Sequence, residues 1–141
     1  MKNIIFLSLL LISAVSYGQV HSISVVDFVK IKNDKKKEAL YFYENNWKVY
    51  RDSALKHKYI ASYKLFTAKP DSVTDFDIIL ITEYADSTQL KYSEDRFQKI
   101  IKQLRPNGPK LLNEFKPNDF RQNVFSKQAE TILQSPLHAN E

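Results

Sequence analysis

An aromatic stripe on one predicted helical face constrains this chain more than any other feature. Leu40, Tyr43, Trp47, Tyr50 and Ala54 recur at spacings of three and four, with Ala39, Phe42 and Leu55 widening the stripe. That is the period of a single helix face. Glu44, Asn45, Lys48, Arg51, Asp52 and Lys56 fall on the opposite face, so the segment predicts an amphipathic helix of about five to six turns. Each buried Tyr or Trp removes ~150–250 Å² from water and brings a hydroxyl or indole N–H that needs a partner. Such a face either packs a core with its polar tips satisfied or lines a pocket.

After His57 the period changes to two. Ala61, Tyr63 and Leu65 alternate with Ile60, Ser62, Lys64 and Phe66, the pattern of a strand with one buried face. Ala68-Lys69-Pro70-Asp71-Ser72 has the composition of a turn. Between Asp75 and Tyr84, the run Phe76, Ile78, Ile79, Leu80 and Ile81 is apolar on both faces, which marks a central strand covered on both sides. Upstream, Ser22 to Lys32 reads as a first strand, with Ile23, Val25, Val29 and Ile31 sharing a face with Asp27. Asp27 is then a polar residue among apolar ones, either bonded to a neighbour or acting as a pocket acid. Asn33 or Asp34 is placed to cap the first helix. The cluster Lys30, Lys32, Lys35, Lys36 and Lys37 at that junction reads as a solvated basic corner, with an anion or membrane-surface patch as the alternative.

Downstream, Asp86 or Ser87 caps a second predicted helix, Gln89 to Leu104, with Leu90, Phe97, Ile100, Ile101 and Leu104 on one face. Pro106-Asn107-Gly108-Pro109 stops it. Lys110 to Phe115 reads as a short helical turn, and Arg121 to Gln128 as a polar edge strand. At the other end, Met1-Lys2-Asn3, the apolar run Ile4 to Val15 and the small residues around Ser16-Tyr17-Gly18 form a secretory signal peptide over residues 1–18, cleaved before Gln19. This predicts an exported chain, periplasmic or secreted, with no membrane span after cleavage, a single domain over 19–133 and a flexible tail over 134–141. There is no cysteine, so neither disulfides nor thiolate chemistry contribute. The formal net charge of +5 is too mild to argue for nucleic acid.

The order strand, helix, strand, strand, helix, strand predicts an α+β, ferredoxin-like βαββαβ fold with both helices on one face of an antiparallel sheet. At this point the chain resembles the dimeric α/β-barrel superfamily. The resemblance rests on Val25-Val26-Asp27-Phe28-Val29-Lys30-Ile31, the helix bearing Asn46-Trp47-Lys48, Ile60 to Phe66, and Asp77-Ile78-Ile79-Leu80-Ile81-Thr82-Glu83-Tyr84. It implies a homodimer whose sheets pair across a two-fold axis, and a cavity between sheet and helices in each subunit. Pairing would also cover the second apolar face of Ile78 to Ile81, which otherwise calls for the C-terminal segment to fold over it.

Catalytic signatures are absent from the sequence. Of two glycines, only Gly108 lies beyond the signal peptide, which excludes dinucleotide fingerprints and P-loops, and no G-x-S-x-G elbow exists. His21 and His138 lie near the ends of the predicted mature chain; His57 alone, without clustered carboxylates, makes no metal site. At a helix C-terminus His57 meets the dipole, or serves as a base. The candidate ligand-binding set is therefore Asp27, Tyr43, Trp47, Tyr50, His57 and Tyr63, with no metal and no cofactor. Within the superfamily the resemblance implies either cofactor-free oxygenases of aromatic substrates or haem proteins. The haem pattern needs a helix histidine, and Gln89 to Leu104 has none. The expectation is an exported dimer that binds a small apolar or aromatic ligand, or a protein partner, in the helix–sheet cavity. The alternative is a cofactor-independent monooxygenase-like enzyme using that cavity.

Overall fold

β-Branched and aromatic residues put Ile23–Ile31 (β1) and Ile78–Tyr84 (β3) side by side at the centre of a four-stranded antiparallel sheet, with strictly alternating burial along β3. Ser62–Thr67 (β2) and Arg121–Glu130 (β4) form its edges, giving the order β2-β3-β1-β4. The computed structural model describes residues 21–69, 71 and 75–133. The expected signal peptide over 1–18 and tail over 134–141 lie outside these residues, as do Pro70 and Ser72 of the predicted turn. Among the described residues, no helix is long and apolar enough to cross a membrane.

The aromatic stripe runs along one continuous helical stretch made of α1 (Lys36–Phe42), a π-helical turn (Tyr43–Trp47) and α2 (Lys48–Lys56). The wider π turn buries the consecutive residues Asn46 and Trp47 together with Tyr43. Such turns occur mostly as single insertions and often at functional sites. Tyr43, Trp47 and Ala39 pack with Val29, Ile78 and Leu80 of the sheet and with Phe120. Tyr50 and Ala54 pack with Ile60, Tyr84 and Ile100 in a second cluster.

Three local expectations are corrected. Asn33 and Asp34 do not cap the first helix: both adopt the left-handed conformation, at φ 55° and 54°, and the cap position is Lys35, without a side-chain bond. Asn and Asp tolerate that conformation, so the pair makes the turn out of β1. The Asn33 amide donates instead to the Asp119 carbonyl at 2.9 Å. The second helix is two helices, α3 (Ser87–Lys91) and α4 (Ser93–Leu104), separated at Tyr92. Asp86 caps α3, accepting from the Gln89 amide at 2.8 Å, while Glu94 and Asp95 supply the acidic first turn that favours a second N-terminus. The short helix falls at Pro117–Phe120 (α5), not Lys110–Phe115. Asn113 Oδ1 accepts from the Phe115 N–H at 3.1 Å, an Asx-type bond that competes with helix, and Pro117 then opens α5 at its first position.

The helices cover one face of the sheet. On the other, the registers align Phe66, Ile79, Phe28 and Phe125 in a row across all four strands. Phe28 stacks on Phe125 with ring centroids 4.4 Å apart, and Phe66 and Phe125 are 47% and 43% exposed. Among the described residues the C-terminal segment does not fold over this face; it joins the sheet as β4.

Candidate functional site

Between the aromatic stripe and the sheet lies a cavity of about 280 Å³, near the lower end of small-molecule pockets, ~300–1,000 Å³. Phe42, Tyr43, Trp47, Tyr50 and Arg51 form its helical wall, and Ile101 of α4 closes one side. Asp27, Val29, Leu80, Arg121 and Asn123 form its floor on the sheet. The registers explain the floor: Asp27 lies opposite Leu80 and Ser126, and Val29 opposite Ile78 and Asn123, so these side chains share the helix-facing side.

The polar groups divide into those the protein satisfies and those it does not. Asn123 Nδ2 donates to Ser126 Oγ at 3.1 Å, which donates to Asp27 Oδ1 at 2.5 Å, fixing that carboxylate on β1. By contrast, Tyr43 Oη, Trp47 Nε1 and Arg121 Nε are buried with no hydrogen-bond partner among the described residues. Tyr43 and Trp47 are only 2% and 7% exposed. Leaving a buried donor unmet costs ~1–3 kcal/mol, so three around one cavity are a concentrated liability.

Two cations face this space. The Arg51 guanidinium lies against the faces of Trp47 and Phe97, 4.6 and 4.4 Å from their ring centroids. The one hydrogen bond the described residues give it is a long contact to Thr82 Oγ1 at 3.4 Å. Although the side chain as a whole is half-buried, its charged end is desolvated. Burial pulls the pKa down to about 10, against the opposing influence of Tyr84 and Asp27. Arg121 lies over the Phe42 ring at 4.8 Å. Burial pushes the Tyr43 hydroxyl upward; Arg121 favours its ionised form without a geometrically formed hydrogen bond between them. Burial likewise raises the Tyr50 hydroxyl, opposed by Arg105.

Of the six sequence candidates, the structure brings Asp27, Tyr43, Trp47 and Tyr50 together at the cavity and leaves His57 and Tyr63 outside its lining. His57 is exposed, its Nδ1 2.8 Å from the Ser53 carbonyl and its ring stacked on Tyr59. Tyr63 packs edge-on against Trp47 at 5.3 Å and donates its hydroxyl to Asp52. Asn46, in the helix segment that carries the resemblance, is fully buried and bonded to Phe42, Arg105 and Lys110. Sequence reasoning missed Arg51 and Arg121. Arg51 follows Tyr50 and stands four residues after Trp47, at the edge of the stripe, which was the available signal. Among the described residues no group of three or more His, Asp or Glu stands close enough to hold a metal.

The sheet order and the helices on one face match solved structures at low identity. The chain is similar to HapK from Hahella chejuensis, at 10% identity and TM-score 0.51 over 84% of this chain and 99% of that one. The fold is ferredoxin-like. Similar too are a dimeric ferredoxin-like protein of unknown function from Bacteroides fragilis, at 13% identity and TM-score 0.46 over 82% and 98% of the two chains, and a DABB family protein with a ferredoxin-like fold from Mesorhizobium loti, at 11% identity and TM-score 0.47 over 82% and 99%. No family model and no curated protein matches the chain. The ferredoxin-like architecture accounts for the cavity's position, since the two helical stretches form a single layer on one face of the sheet and leave space where the aromatic stripe stands off β1.

Proposed function

We propose that this chain is an exported small-molecule-binding protein that works as a homodimer, with its ligand held between the π turn and β1. The observation that carries this reading is the pair Tyr43 and Trp47: almost wholly buried, on the cavity wall, with polar atoms that none of the described residues satisfies. A packed core normally pairs such tips. Aromatic walls with a few unmet donors are the usual make-up of a ligand pocket. Tyr50 and Phe42 extend the apolar wall, and Asp27 sets the polar floor. Homodimer formation would pair the open sheet faces, covering the row Phe66, Ile79, Phe28 and Phe125.

Native mass spectrometry of the protein purified from the exported fraction of its own source tests these points together. The expected spectrum is a dimer carrying additional small-molecule mass that mild activation releases. A bare monomer would overturn both the pairing and the ligand-binding reading.

A further inference from the structure

The cavity's charge balance says what kind of ligand it takes, on the reading that it is a binding site. Two cations, Arg51 and Arg121, line it against a single carboxylate, Asp27. One positive charge is left over within partly enclosed aromatic walls, where an uncompensated charge is costly. The remaining polar groups have the same bias. Tyr43 Oη, Trp47 Nε1 and Arg121 Nε lack a partner among the described residues, and the latter two can only donate. The lining thus presents a positive excess to whatever enters, with the unmet donors buried just behind it.

Arg51 is disposed to use that charge directionally. Its guanidinium lies over the Trp47 and Phe97 rings, and its one hydrogen bond among the described residues is the long contact from Nε to Thr82 Oγ1, which leaves its terminal N–H groups for a ligand. An in-plane edge matches the two oxygens of a carboxylate. Asp27 limits the total: one anionic charge neutralises the excess, whereas a dianion would meet the Asp27 carboxylate with charge to spare. Size adds a further limit. At ~30 Å³ per water-sized group, the volume of about 280 Å³ admits roughly nine such groups, a single ring with one substituent.

We infer that the cavity binds a monoanionic organic acid with one aromatic or similarly sized apolar ring, its anionic group received by Arg51 and Arg121 and its ring by Tyr43, Trp47 and Tyr50. Asp27 selects against a second negative charge.

Trp47 is the only tryptophan in the chain, so its fluorescence reports occupancy of the wall it forms. The probes are benzoate and its uncharged isostere benzamide, titrated into the intact protein near neutral pH. Benzoate is expected to bind at least tenfold more tightly than benzamide. In Arg51→Met that ratio should fall to about one, and in Asp27→Asn benzoate should tighten several-fold. Equal binding of the two probes by the unaltered protein would overturn the anion assignment while leaving a small-molecule site in place. Binding of neither, by fluorescence and by ligand-observed NMR, would overturn the binding site itself. The comparison on the unaltered protein stands even if Arg51→Met fails to fold, and Arg121→Met supplies a second test of the same ratio.

Discussion

The Tyr63 hydroxyl donates to Asp52 Oδ1 at 2.5 Å, and Lys48 reaches the other oxygen of that carboxylate at 2.7 Å. One carboxylate therefore joins β2 to the outer side of α2, while the Tyr63 ring supports Trp47 edge-on. Tyr63→Phe keeps the ring and removes the bond, and is expected to cost about 1 kcal/mol in urea unfolding at neutral pH. Burial raises the Asp52 pKa, but the bonds from Lys48 and Tyr63 outweigh it and hold the group below its ordinary value of 3.8. A depressed carboxylate contributes stability above its unfolded pKa and loses it as pH falls through the folded one. The gap between Tyr63→Phe and the unaltered protein should thus narrow below pH 3.8. A gap that stays constant into acid would count against the Asp52 link.

Asn46 holds the π turn to the loop after α4. Its amide donates to the carbonyls of Phe42 and Lys110 at 3.0 and 2.8 Å and accepts from the Lys110 N–H at 2.7 Å and Arg105 Nε at 3.3 Å. Arg105 adds a bond to the Asn45 carbonyl at 2.7 Å. Replacing Asn46 by Ala strands several of these groups at a fully buried position. The expected loss is about 3 kcal/mol, the upper part of the range for unmet buried groups. Denaturant unfolding reads it directly, and a loss below about 1 kcal/mol would mean that other contacts hold the loop.

Periodicity made the framework legible and local exceptions hid the charged half of the site. The spacing of Leu40, Tyr43, Trp47, Tyr50 and Ala54 and the change of period after His57 place the first helix and β2, because burial of one face dictates both patterns. In a helical pattern charge marks the outer face, which puts Arg51 toward solvent. Its stem and guanidinium instead lie along the stripe's edge against two rings. The β4 segment showed no alternation for a definite reason. The register shifts between Phe28 and Val29, leaving Val124 unpaired as a bulge. Arg121 and Asn123 face the helices before it, whereas Phe125 faces the opposite side after it, so no single period of two spans the strand. The capping errors at Asn33 and Asp34 share a cause: short polar side chains serve turns and caps alike, and only the path of the chain decides between them.

The open face of the sheet gives the last prediction. Phe125 lies opposite Phe28 in the register and stacks on it, at the end of the row that runs through Ile79 to Phe66. In the next row Lys64 and Lys127 sit at the two edges beside Ile81 and Val26, so the apolar centre has a charged margin. That is the layout of an interface core with a polar rim. Burying a phenylalanine is worth ~1.5–3 kcal/mol. In a two-fold dimer each substitution occurs twice, so the loss approaches ~3–6 kcal/mol. Phe125→Glu should therefore raise the dimer dissociation constant by more than about a hundredfold. Its far-ultraviolet circular dichroism should stay unchanged, since Phe125 projects away from the helices. Sedimentation equilibrium over micromolar concentrations measures both proteins. A monomeric parent would remove the pairing altogether, and a Phe125→Glu variant as dimeric as its parent would move the interface to another surface.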